Sequence, residues 1–242
     1  MRLAARRGAE GHVAAEAAFR AGKSEFDIHR DYCAAVRHVD AELPYGNIIA
    51  LNEHGAVLHY TNLERSSPAV IRSFLIDAGA QVHGYASDIT RTYANGDQRF
   101  QDLIDRMDVM ELAIVEQVEA GVDYRDLHVG AHRMLAEVLV DAELASGDPE
   151  TLLSTGVTSA FFPHGLGHLL GIQVHDVGGH QLDESGTLID PPSGPPFLRL
   201  TRVLEEDMVL TIEPGLYVID LLLENLRGTP AEQHVNWNTV DW

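Results

Sequence analysis

Small apolar residues at Ala14, Ala17, Ala18 and Ala21 fall on one helical face, which predicts a first helix over residues 14–21. Ser24 followed by Asp27 suits an N-cap with an acidic first turn. Ile28, Tyr32, Ala35 and Val39 continue at helical spacing and predict a second helix. Further on, Leu103, Met107, Met110, Ile114 and Val118 form an apolar stripe that stops at Gly121. Asp123 then opens another helix, with Leu127, Ala131, Met134, Leu135 and Val138 as its buried face. Runs rich in β-branched, aromatic and leucine residues, bounded by Gly, Asn or Pro, predict strands at 47–51, 57–60, 73–77 and 87–93. Two more, at 208–213 and 216–219, flank the turn-forming pair Pro214 and Gly215. Residues 183–197, rich in Pro, Gly and Ser, read as a loop.

The helical pattern repeats in its residues as well as its period. Ala21, Gly22, Ser24, Asp27, Ile28 and His29 recur as Ala120, Gly121, Asp123, Asp126, Leu127 and His128, an offset of 99 residues. Two copies are too few for a solenoid but suit an α+β fold of two similar halves with an internal pseudo-twofold. Coincidence at two helix starts is the plainer alternative, because glycine and capping residues recur there anyway. No separate domain boundary shows, so one domain spanning residues 1–242 is expected.

Composition narrows the function. A chain of 242 residues with 45% hydrophobic content can close a sizeable core. Lys and Arg total 17 against 37 Asp and Glu, a net charge of −20 with no basic stripe, so neither nucleic acid nor an anionic membrane is an expected partner. Cys33 is the only cysteine, which excludes an intramolecular disulfide and a thiolate cluster and points to a reducing cytoplasm. The start, with Arg2, Arg6, Arg7, Glu10 and Glu16 among alanines, has no apolar run of signal-peptide length.

Two acids sit where water is scarce. Asp77 ends the apolar run Phe74, Leu75, Ile76, and Asp88 follows eleven residues later on a face with Thr90 and Thr92. If Gly79 to Gly84 turn the chain back, both carboxylates meet on neighbouring strands and need a cation or proton between them. His164 and His168 lie on a glycine-rich segment, His175 follows with Asp176, and Glu213 closes another apolar strand. Taken singly, such an Asp is more often a turn residue and such a Glu a salt-bridge partner. Together they make a set of oxygen ligands plus one imidazole, suited to Mn, Fe, Co, Zn or Mg. Two such ions about 3.5–4 Å apart, bridged by carboxylates and a hydroxide, would activate water for attack on an amide.

Leu75-Ile76-Asp77-Ala78-Gly79, Ser87 through Thr92, Pro163 through His168 and Ile212-Glu213-Pro214-Gly215 resemble, in order, the metal-site motifs of the methionine aminopeptidase, aminopeptidase P and prolidase superfamily, peptidase family M24. Asn52-Glu53-His54, Leu58-His59-Tyr60, Val174 through Val177 and Leu198-Arg199 through Arg202 are most similar to the bacterial prolidase branch. The resemblance implies the pita-bread fold and hydrolysis of Xaa-Pro dipeptides by a metal-bridging hydroxide. It extends to organophosphorus triesters and to two divalent ions, manganese first. It implies Asp77, Asp88, His168 and Glu213 as metal ligands, with Glu213 also shuttling the proton of the attacking water. His164 and His175 would position the carbonyl and its oxyanion, while His59, Arg199 and Tyr45 would line the substrate pocket, Arg199 holding the dipeptide carboxylate. A surface arginine is the plain alternative for Arg199. His12, His38, His83, His180 and His234 are read as ordinary surface histidines.

The family ends its catalytic domain on a Gly-x-Arg-x-Glu strand, for which these residues show no counterpart, and Met1 falls near the helix that links to an amino-terminal domain. The expectation is therefore an incomplete catalytic domain with its last strand missing. One metal position would keep Asp88, His168 and Glu213, and the other only Asp77 and Asp88. The alternative is a folded, catalytically impaired remnant that binds at most one ion. The expected partners are a small peptide and, for self-association, a second copy in a homodimer.

Overall fold

In the computed structural model, which describes residues 1–195 and 197–240, the alanine stripe at 14–21 belongs to a longer helix, α1 (Arg2–Arg20). It carries glycines that ordinarily weaken a helix by about 0.5–1 kcal/mol each. A Cβ at Gly11 would lie 2.5 Å from the Tyr32 ring, and one at Gly8 2.8 Å from Ser87 Oγ, so these glycines let α1 lie tightly against its neighbours. Helix α2 (Glu25–Val36) begins as expected, with Ser24 Oγ accepting from Asp27 N at 3.2 Å. It stops before Val39 because Arg37 turns left-handed at φ 57°.

These helices belong to one of two compact units, formed by Met1–Ile104 with Leu170–Val177. Its sheet is antiparallel, in the order β1 (Ile48–Leu51), β2 (Ser73–Asp77), β5 (Thr90–Ala94). The register sets Asp77 opposite Ile48 on one side and Thr90 on the other. Alternation along β2 buries Phe74 and Ile76, and Phe74 stacks on Phe19 of α1 with ring centroids 5.2 Å apart. The strand expected at 87–93 starts later than predicted, at Thr90. A small hairpin, β3 (Gln81–Val82) and β4 (Tyr85–Ala86), occupies the connection and reverses at His83 and Gly84, both with positive φ, as a two-residue primed turn requires.

The strand expected at 57–60 is not formed. Residues Asn52–Ala56 make a 3-10 turn, and His59 is left-handed at φ 57°. The reason is Glu25, only 1% exposed at the start of α2. Its Oε1 accepts from Leu51 N at 2.8 Å and from the His54 ring at 2.7 Å, and its Oε2 from Tyr60 Oη at 2.7 Å and Glu64 N at 3.0 Å. The segment is gathered around one buried carboxylate instead of along a ladder.

Helix α3 (Gln98–Val115) ends earlier than its stripe suggested. The second unit, Asp105–Leu169 with Gly178 onward, contains α4 (Tyr124–Asp141), α5 (Pro149–Ser154), α6 (Val157–Phe161), α7 (Asp220–Glu224) and α8 (Trp237–Val240). The start of α4 repeats that of α2 locally: Gly22 and Gly121 are both left-handed, and Asp123 caps α4 by accepting from Arg125 N at 2.9 Å. The strands expected at 208–213 and 216–219 are absent as regular strands. The chain there bonds in alternation to a glycine-containing segment, Thr211 N to His168 O at 2.9 Å and Glu213 N to Leu166 O at 2.8 Å. Pro214, which has no N–H, interrupts the run before Tyr217 N reaches Phe161 O at 2.8 Å. Among the described residues no helix is long and apolar enough to cross a membrane.

Glu25→Ala is expected to destabilise the chain by about 3–5 kcal/mol, because four donors lose one buried acceptor. Urea unfolding measures this; a loss under about 1 kcal/mol, the range of an exposed ion pair, contradicts it.

Candidate metal centre

Asp77 and Asp88 come together within the first unit. A Cβ on Gly79 would lie 2.6 Å from the Tyr45 ring and 2.8 Å from Pro44, so glycine is what admits the tyrosine here. Tyr45 Oη lies 2.7 Å from Asp77 Oδ1 and 2.7 Å from Asp88 Oδ1. A phenol has one hydrogen to donate, and here two carboxylate oxygens face it. Burial, then the charges of Asp77 and Asp88, hold the Tyr45 phenol well above its ordinary range, so it stays a donor. The chain turns back at His83–Gly84, within the expected 79–84, and both carboxylates reach Tyr45, but Asp88 precedes β5 instead of lying on a strand.

In the second unit, His168 is 4% exposed and fixed from three sides. Its backbone N donates to Thr211 Oγ1 at 3.0 Å, its Nδ1 donates to Leu169 O at 2.9 Å, and its Nε2 lies 3.2 Å from Glu213 Oε1. Thr211 Oγ1 also donates to Glu213 Oε1 at 3.0 Å. Gly167 lets the strand-like segment approach, since a Cβ there would collide with the Thr211 carbonyl and the Tyr124 hydroxyl. Tyr124 Oη donates to Thr211 O at 2.8 Å, and its own pKa is driven well up by burial and by the Glu213 charge.

His164 is half-buried in the same unit, with Nδ1 donating to Gly165 O at 2.9 Å and Nε2 3.2 Å from Tyr217 Oη. His175 lies in the first unit and is exposed, as is His59. Arg199, in the second, is also exposed, between the buried Leu198 and Leu200. Of the histidines read as surface residues, His12 is not: it is 5% exposed, with Nε2 3.1 Å from Ala78 O, because its helix packs on the sheet.

A model of metallopeptidase family M24 matches residues 1–237. The chain belongs to metallopeptidase family M24. It is 58% identical over 99% of its length to an Xaa-Pro dipeptidase of Xanthomonas campestris pv. campestris, and 56% identical over its whole length to one of Shewanella loihica. It covers 55% of each, so the chain spans about half the length of the curated relatives it matches. Among solved structures, Zn-substituted E. coli aminopeptidase P in complex with product superposes with a TM-score of 0.76 at 28% identity, over 97% of this chain and 50% of that one. Pseudomonas aeruginosa aminopeptidase PepP gives 0.72 at 26%, over 96% and 51%. The expected membership and pita-bread class are borne out by these M24 relatives.

Three features were not read from the sequence as parts of a site. One is Glu25 with its four donors. Another is His29, Cys33 and Asp40, whose ligand atoms lie within 4.8 Å of one another; the one-turn spacing of His29 and Cys33 was the available signal. The third is His128 and His132, both 0% exposed, with ring centroids 4.8 Å apart and Phe162 stacked on His132 at 4.8 Å. Among the described residues neither ring nitrogen of His132 has a partner, and burial lowers His132 to about 3 and His128 to about 4.

Both rings are neutral in the folded chain, whereas the unfolded chain protonates them near pH 6.5. Stability is therefore fully present above pH 6.5 and falls between pH 6.5 and about 4 to 3, by up to about 1.4 kcal/mol per pH unit for each ring. His132→Phe is expected to remove its share and shift the acid-unfolding midpoint to lower pH; an unmoved midpoint in a pH titration of folding contradicts this.

Proposed function

We propose that the chain hydrolyses dipeptides with proline in second position, using divalent cations, manganese by preference, ligated by Asp77, Asp88, His168 and Glu213. The observation that carries this reading is the placement of His168 beside Glu213. Its Nδ1 donates to the Leu169 carbonyl, so in a neutral ring the Nε2 lone pair is turned toward Glu213 Oε1 at 3.2 Å. Two acceptors at that distance repel unless a proton or cation lies with them. Asp77 Oδ1 and Asp88 Oδ1 both lie 2.7 Å from Tyr45 Oη, which brings two carboxylates to one place. Three carboxylates and one imidazole fit a hard or borderline dication, and the family is one of metallopeptidases.

Such ions, when bound, lower the pKa of water and polarise the scissile carbonyl. The rest falls to side chains of this chain. Glu213 takes the proton of the attacking water on a carboxylate oxygen and returns it to the leaving amine. His164 and His175 donate hydrogen bonds to the developing oxyanion. Arg199 receives the dipeptide carboxylate in its guanidinium fork, while His59 and Tyr45 border the substrate. Phosphotriesters fall within the same chemistry, and we place the activity in the cytoplasm, in a homodimer.

A second reading, a folded but impaired chain with at most one ion, is favoured by the ligand count, since only Asp77 and Asp88 remain for a second ion. Chelation followed by reconstitution with Mn2+ separates the two. Near two ions per chain, with Ala-Pro cleaved in preference to Ala-Ala, supports the dipeptidase; one or none, with neither peptide cleaved by folded protein, supports the second reading. Asp88→Asn is expected to lower Ala-Pro hydrolysis more than about 100-fold, beyond the effect of losing an outer partner of a ligand. Unchanged turnover contradicts the ligand assignment.

A further inference from the structure

Apart from the acids and imidazoles above, His29, Cys33 and Asp40 form a cluster with the spacing of a metal site. His29 and Cys33 lie one turn apart on α2, and Asp40 is returned to them by a 3-10 turn, Asp40–Glu42, after the left-handed Arg37. The separations are 3.5 Å from Cys33 Sγ to His29 Nε2, 3.8 Å from Sγ to Asp40 Oδ1, and 2.9 Å from Nε2 to Oδ1. A tetrahedral ion with a sulfur ligand at about 2.3 Å and N and O ligands at about 2.0–2.2 Å has edges of roughly 3.4–3.6 Å. Two edges already agree within a few tenths of an ångström. The third opens by rotation of the Asp40 side chain, which is 83% exposed.

Asn47 supplies an independent sign. It is 5% exposed, its Nδ2 lies 3.4 Å from His29 Nδ1, and its Oδ1 is buried with no partner among the described residues. Turning the amide over lets Oδ1 accept from His29 Nδ1–H. The imidazole lone pair is then at Nε2, facing Asp40 Oδ1 at 2.9 Å and the Cys33 sulfur. In that tautomer Nε2 and Oδ1 are two acceptors that a cation would bring together, and a hydrogen bond to the far ring nitrogen is how metal-binding histidines are oriented.

We propose that His29, Cys33 and Asp40 hold one borderline dication, zinc above all, with water in the fourth position and Asn47 orienting His29. Without the ion, burial and then the Asp40 charge push the Cys33 thiol up to about 11. Binding replaces the thiol hydrogen with a sulfur–metal bond, so one proton leaves per ion bound at neutral pH. The ion ties α2 to the turn that follows it. The competing arrangement is a His29 whose Nδ1 accepts from Asn47 Nδ2 and whose Nε2–H donates to Asp40, with the Cys33 thiol donating to the same carboxylate and no ion bound.

Cys33 is the only cysteine of the chain, and Asp77, Asp88, His168 and Glu213 carry no sulfur. A thiolate-to-cobalt charge-transfer band therefore reports this cluster alone. The metal-free 242-residue chain titrated with Co2+ is expected to develop that band, release one proton per ion at this site, and lose the band on adding Zn2+. Cys33→Ser abolishes the band, His29→Ala weakens Co2+ binding at least about tenfold, and Asp88→Asn leaves the band intact. Cobalt bound by the wild-type chain without a thiolate band overturns the proposal, as does a band that persists in Cys33→Ser. The wild-type spectrum decides even if a variant fails to fold.

Discussion

Every carboxylate that this chain draws out of water has to be met by a donor or a cation, and in a molecule with a net charge of −20 the donors are scarce. Glu25 shows the constraint satisfied. Two backbone N–H groups, a histidine and a tyrosine converge on it, and the chain from Leu51 to Glu64 takes its course from those bonds. Asp77 and Asp88 both face the hydroxyl of Tyr45, and Glu213 meets the Thr211 hydroxyl together with the Nε2 of His168.

Glycine makes those contacts sterically open. Gly79 leaves space for the ring of Tyr45 beside Asp77, and Gly167 lets the Thr211 carbonyl and Tyr124 hydroxyl come against the segment that carries His168. A methyl group at either position would meet backbone or a ring instead of a flexible side-chain end. The motif glycines thus position the donors without touching a ligand.

Features set by neighbouring residues were readable in advance. Alternation gave the bounds of β2, and Ser24 and Asp123 act as the caps their positions implied. Features set by distant partners were not. Residues 57–60 have strand composition but answer to Glu25, and 208–219 pair with a glycine-rich segment that offers no regular ladder. His29 and Cys33 were visible at one-turn spacing, yet Asp40 reaches them only because a non-glycine residue, Arg37, adopts a left-handed conformation. The M24 motifs named the acids and histidines of the proposed centre, while the Tyr45 bridge and the His168 tautomer emerged only with coordinates.

The ligand assignment is tested most directly by anomalous diffraction at the manganese edge from crystals of the chain grown with Mn2+. The account predicts a peak with carboxylate oxygens of Asp88 and Glu213 and Nε2 of His168 all within about 2.0–2.4 Å. Crystals with no such peak, in which manganese touches only the aspartates or only His168 and Glu213, would contradict it.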